Sequence, residues 1–128
     1  MNTNDTNITN KLIYPKLSYT VVGICFTVHN ELGNFAKEKQ YNNLIEKQLI
    51  ESRIPYKREL NIGDSGNIID FLIDEKIILE IKAKRIITKN DYFQIQRYLQ
   101  ESQIKLGILI NFRDKYIKPH RVVRIDKN

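Results

Sequence analysis

The stretch Ile68-Ile69-Asp70-Phe71-Leu72-Ile73-Asp74-Glu75-Lys76-Ile77-Ile78-Leu79-Glu80-Ile81-Lys82 decides the fold. Two apolar, β-branched runs flank a short charged turn, which is the pattern of a β-hairpin. With Asp74, Glu75 and Lys76 as a three-residue loop, Ile73 pairs with Ile77, and counting back sets Asp70 opposite Glu80. Directly opposed residues on one face have Cβ atoms roughly 4.5–5.5 Å apart, close enough for two carboxylates to share one divalent cation. Side chains repeat every second residue along a strand, so Lys82 shares the face of Glu80. Burying an unpaired carboxylate is costly, and two this close raise each other's pKa. A cation relieves both problems, and oxygen ligands of this kind suit Mg²⁺ or Mn²⁺ rather than zinc. The same residues also fit a solvated sheet face on which Glu80 and Lys82 form a salt bridge, with Asp70 merely nearby.

Upstream, Gly63-Asp64-Ser65-Gly66 is a turn cluster, and Pro55 to about Asn61 reads as the strand before it. A helix is predicted from Ser18, where Val21, Val22, Ile24, Cys25, Val28 and Leu32 recur at spacings of three and four. Gly33-Asn34 stops it. A second helix runs from about Phe35 to Ser52, with Phe35, Tyr41, Leu44, Ile45, Gln48 and Leu49 on its inner side. Glu38 and Tyr41 share one face of that helix, and Tyr41 reads as core. Residues 1–17 are predicted to be a flexible Asn/Thr-rich tail, with Tyr14 and Leu17 packing back on the body, and residues 18–128 one domain.

Downstream, Thr88 is a plausible N-cap with Asp91 in the first turn. The helix it opens runs to about Ser102, with Tyr92, Phe93, Ile95 and Leu99 inward and Gln94 and Tyr98 on one flank. Lys105 to Phe112 is nearly all apolar, as expected of a strand covered on both faces. Arg121 to Ile125 alternates and reads as a final edge strand. The Glu80 strand, the helix and the 105–112 strand form a βαβ unit, so those two strands run parallel. The predicted class is α/β, a mixed β-sheet flanked by helices.

The chain has 128 residues, a formal net charge of +6 and a pI near 9.4. No apolar run approaches the roughly 20 residues needed to cross a bilayer, and the first residues lack the basic and apolar regions of a secretory signal. The lone Cys25 excludes an internal disulfide and a cysteine-based zinc cage. A cytoplasmic location is expected. The basic surplus suits a polyanionic partner, although a chain rich in Lys, Asn and Ile throughout accounts for it equally well. There is no Gly-rich phosphate loop, and His29 and His120 lack ligand-like spacing and read as structural or solvated.

Asp70 followed after nine residues by Glu80-Ile81-Lys82 resembles the D…(E/D)xK core of the PD-(D/E)XK nuclease superfamily. Gln94-Ile95-Gln96-Arg97-Tyr98 resembles the QxxxY element of its RecB-like members. Val28-His29-Asn30-Glu31-Leu32-Gly33, Glu38-Lys39-Gln40-Tyr41, Glu80-Ile81-Lys82-Ala83 and Leu106-Gly107-Ile108-Leu109-Ile110-Asn111-Phe112 are similar, in order, to the small GxxExxY proteins assigned to that superfamily. The glycine that names those proteins is Phe35 here, and Glu59 stands where they tend to carry Gln.

The resemblance implies a restriction-endonuclease-like core and a metal-dependent nuclease hydrolysing DNA, or less preferably RNA, by a one- or two-metal mechanism. Asp70, Glu80 and the Ile81 carbonyl would bind Mg²⁺ (or Mn²⁺), with Glu38 completing the acidic cluster directly or through water. Lys82 would orient the attacking water or stabilise the phosphorane. Gln94 and Tyr98 would line the site, and Lys84 and Arg85 would contact phosphates or remain solvated charges. The alternative is a non-catalytic nucleic-acid-binding or protein-interaction module on the same fold. The small size favours a homodimer or a protein partner.

Overall fold

The computed structural model describes residues 13–126. The first helix, α1 (Pro15–Leu32), begins three residues earlier than expected because Pro15 opens it. Proline suits this position, where its missing N–H would have had no helical partner. The expected tail is thereby shortened, and its first 12 residues lie outside those described. Gly33, at φ 75°, ends α1 and donates its N–H to the His29 carbonyl at 2.8 Å.

Helix α2 spans Glu38–Glu51 and not 35–52, which leaves Phe35 in the preceding loop and exposed instead of on an inner face. The chain then forms β1 (Tyr56–Ile62), β2 (Asn67–Ile73) and β3 (Ile77–Lys82), crosses through α3 (Lys89–Ser102), and finishes with β4 (Leu106–Asn111) and β5 (His120–Val123). The sheet is mixed, in the order β1-β2-β3-β4-β5, with β3 and β4 parallel and every other pair antiparallel. The α/β class expected from the sequence, a mixed sheet flanked by helices, is the one observed.

Apolar alternation sends the two faces of the sheet to different helices. Phe71, Ile73, Ile77, Leu79 and Ile81 pack with Val21, Cys25 and Val28 of α1 and Tyr41, Ile45 and Leu49 of α2. Leu72, Ile78 and Leu109 pack with Ile95, Tyr98 and Leu99 of α3. Tyr41 is a core residue as expected. Its hydroxyl donates to the Gly33 carbonyl at 2.6 Å and accepts the Ala36 N–H at 3.2 Å, which pins the loop between the first two helices. On α3, Ile95 and Leu99 face inward, but Tyr92 and Phe93 do not; the buried stripe is Asp91, Ile95, Tyr98 and Leu99. No helix among the described residues is long and apolar enough to cross a membrane.

Candidate active site

The hairpin register is the expected one: Ile73 pairs with Ile77, Leu72 with Ile78 and Phe71 with Leu79. Lys76 N–H closes the turn on the Ile73 carbonyl at 2.9 Å, with Asp74 and Glu75 both left-handed. That pair of conformations matches the twist of the flanking strands. One step further along, at Asp70 and Glu80, the backbone ladder gives way to side chains. The Asp70 N–H donates to Glu80 Oε1 and the Ile81 N–H donates to Asp70 Oδ2, both at 2.8 Å. The carboxylates therefore lie in the seam between β2 and β3, a refinement of the opposed pair on an open face.

A change of phase in β2 accompanies this. Phe71 and Ile73 pack toward α1 and α2, yet Ile69 joins the cluster against α3. Strict two-residue alternation would have put all three on one side. Across from Asp70, Glu59 adopts φ 53° and the β1–β2 pairing skips that step. The kink falls where the acids need room.

Glu80 is 4% exposed. Burial, followed by the nearby Asp70 charge, pushes its carboxyl up to about 8 against the pull of the Asp70 amide and Lys82. Burial also raises Asp70, opposed by the Ile81 amide and the Lys82 and Arg58 charges. Glu38, at the first turn of α2, is raised by burial and then by the Asp70 charge, with Lys82 and Lys84 opposing. It faces the acid pair from a different element. Among the described residues, however, no three His, Cys, Asp or Glu side chains come close enough to hold one metal ion together. The structure thus pairs Asp70 with Glu80 and leaves Glu38 at the margin.

The Lys82 ammonium donates to Gln94 Oε1 at 2.8 Å, joining β3 to α3. Tyr98, one turn on, is buried, and its hydroxyl is raised by burial and then by the Glu80 and Asp70 charges. Successive residues of a strand direct their backbone groups to alternate sides. The Lys82 carbonyl accepts Phe112 N–H on the β4 side, so the Ile81 carbonyl, like its N–H, faces β2 and the acids.

The Lys84 ammonium is bound to both oxygens of Asp91 at 3.0 and 2.9 Å. Arg85 is exposed and has no side-chain partner among the described residues. Asn111, which sequence reasoning passed over, clamps the Lys84 backbone: its Oδ1 accepts the N–H at 3.1 Å and its Nδ2 donates to the carbonyl at 2.7 Å. An amide at the end of an otherwise apolar strand was the available signal. His29 is structural, its Nε2 2.8 Å from the Asp114 carbonyl oxygen. Burial pushes the Cys25 thiol up to about 12, which makes it inert.

The donor set consists of one buried carboxylate, Glu80, and one half-buried carboxylate, Asp70, each receiving one N–H from the described residues, beside a backbone carbonyl and an ammonium. Hard oxygen donors with lone pairs to spare fit Mg²⁺ or Mn²⁺. Residues 15–125 match the family model for the PD-(D/E)XK nuclease superfamily. No curated protein and no solved structure matches.

Proposed function

Because the chain belongs to the PD-(D/E)XK nuclease superfamily, we propose that it is a metal-dependent phosphodiesterase acting on nucleic acid, DNA ahead of RNA, in the cytoplasm. One observation carries this reading: half-buried Asp70 and buried Glu80 interlock in the β2–β3 seam, each accepting an N–H from the other strand, with the Glu80 carboxyl pushed up to about 8. A fold gains nothing from two desolvated like charges, whereas a divalent cation makes the arrangement favourable. Asp70, Glu80 and the Ile81 carbonyl would hold Mg²⁺ or Mn²⁺, with Glu38 acting through water. When bound, such a cation lowers the pKa of attacking water and offsets charge building on the scissile phosphate.

The rest of the chemistry belongs to side chains. Lys82 lowers the carboxyls of Glu38, Asp70 and Glu80, which places its ammonium among the three acids. Lys82 offers a positive charge to the phosphate oxygens. Gln94 holds that ammonium in place. Its bond to Lys82 supports the finer RecB-like reading of the QxxxY element, in which Tyr98 closes the site from α3. The order of the four motifs supports the GxxExxY assignment. Arg85 is the better phosphate contact, because Lys84 is engaged with Asp91.

Calorimetric titration of Mn²⁺ into wild type and Asp70→Ala, together with Mn²⁺-dependent cleavage of labelled DNA and RNA by wild type, Glu80→Ala and Lys82→Ala, tests the reading. Binding and cleavage only in wild type are expected. Cleavage that survives both substitutions would reject the mechanism. The two-acid cluster also favours a second reading, a binding module on this fold; nucleic-acid binding without cleavage in any metal would select it.

A further inference from the structure

Phe35 and Arg113 form a feature that the chemistry above does not use. Phe35 is 78% exposed, and the Arg113 guanidinium lies over its ring, 5.4 Å from the centroid. With one face covered by the cation, that exposure belongs to the opposite face and the edge. Arg113 pairs with no carboxylate among the described residues, and its Nε is buried without a hydrogen-bond partner.

The position of the pair relates it to the acids. Phe35 precedes by three residues Glu38, which senses the Asp70 and Lys82 charges. Arg113 follows β4 directly, where Phe112 N–H reaches the Lys82 carbonyl at 2.8 Å and Asn111 clamps Lys84. Asn34 Nδ2 donates to the Arg113 carbonyl at 3.1 Å, stitching the two loops together. Tyr41 ties the Phe35 loop on either side, at Gly33 and Ala36. The ring is thus held on a pinned loop three residues before Glu38, against the segment that follows β4.

The aromatic surface left exposed is available to a planar partner. Bases stack on aromatic side chains regardless of sequence, a guanidinium forms paired bonds to phosphate, and a ring already held in place loses little freedom on binding. A base inside a continuous duplex has both faces covered by its neighbours. We propose that Phe35, braced by Arg113, is a stacking platform for an unpaired nucleobase beside the scissile phosphate. The substrate class is then a single strand, or a duplex carrying a single-stranded tail. This inference rests on the phosphodiesterase reading for the meaning of the neighbouring acids.

The test uses the full chain in EDTA, so that binding is read without cleavage, with fluorescence anisotropy of a labelled oligothymidylate and of a blunt hairpin duplex. Wild type is expected to favour the single strand. Phe35→Ala should weaken single-strand binding by about tenfold to about a hundredfold, leave the duplex unchanged and retain the wild-type melting temperature. Phe35→Trp should restore binding, and Arg113→Gln should lose part of it. Equal single-strand affinity in wild type and Phe35→Ala, or equal losses on both probes, would overturn the platform, as would no binding by wild type. If cleavage remains Glu80-dependent while Phe35→Ala binds normally, the platform fails and the nuclease stands. If Phe35-dependent binding occurs without cleavage in any metal, the nuclease fails and the stacking site stands.

Discussion

The Lys82 ammonium and Gln94 Oε1 are 2.8 Å apart, so the end of β3 and the second turn of α3 are joined across one side of the acid pair. A free lysine side chain samples many rotamers, and ordering it at the moment of reaction carries an entropic cost. Gln94 removes that cost in advance. Gln94→Ala should therefore lower single-turnover cleavage by about a hundredfold, the penalty associated with a displacement of about 1 Å. The melting temperature should barely move, because the bond is half-exposed. Lys82→Gln, which removes the charge, should lose more. Wild-type cleavage by Gln94→Ala would detach Lys82 positioning from α3.

The Glu80 carboxyl, ordinarily near 4.5, is pushed up to about 8 by burial and then by Asp70. The folded state therefore keeps a proton that the unfolded chain gives up between those values. More protons on the folded form mean that stability falls as pH rises, by at most about 1.4 kcal/mol per pH unit for one group. Thermal melts in EDTA from about pH 5 to about pH 8 should show this decline, and Glu80→Gln should flatten it. Mn²⁺ should stabilise more at the alkaline end, because there it does not compete with the proton. A rise in stability over that range would contradict the burial of Glu80.

Gly107 of β4 sets how closely α3 approaches the sheet. A Cβ added there would sit 2.6 Å from Ile95 Cδ1 and 3.0 Å from Cγ1, closer than packed atoms tolerate. Gly107→Ala should cost about 1–3 kcal/mol in denaturant unfolding. Ile95 is the neighbour of Gln94 and three residues from Tyr98, so the displaced helix should also reduce cleavage. A combined Gly107→Ala, Ile95→Val variant, which shortens the clashing side chain, should recover both. Failure to recover would show that α3 is seated elsewhere.

Local pattern was enough for the hairpin. Ile73 and Ile77 bracket a loop of the right length, and the apolar run at 105–112 leaves no choice but a doubly covered strand. What escaped was decided by distant partners. Asp91 is buried where Phe93 is exposed, the reverse of their hydrophobicity. The reason is that Lys84, Thr88 and the Asp91 carboxylate close on one another across the β3–α3 connection. The seam at Asp70 escaped for a similar reason: alternation predicts an uninterrupted ladder, and the left-handed Glu59 across from it has no glycine to announce it. Phe35 read as helical and inward because periodicity does not register that Gly33 and Ala36 are both held by the Tyr41 hydroxyl.

The Lys84–Asp91 pair separates a structural role from a substrate contact. Burial tends to raise the Asp91 carboxyl, but its bonds from Lys84 and Thr88 outweigh that and hold it below the ordinary range. A lowered carboxylate stabilises the fold at neutral pH, and that contribution is lost as pH falls through its folded value. Asp91→Ala removes both the pair and the bond to the helix-opening Thr88 N–H, and should cost about 1–2 kcal/mol. It also frees Lys84. If Lys84 is only a brace, Lys84→Ala should lower the melting temperature and leave the salt dependence of nucleic-acid binding unchanged. Arg85→Ala should do the opposite, reducing the log–log salt slope by about one with no effect on melting. A slope reduced equally in the Lys84→Ala and Arg85→Ala variants would return Lys84 to the phosphate-binding surface, and binding of wild-type protein in EDTA as a function of salt is the measurement that decides between them.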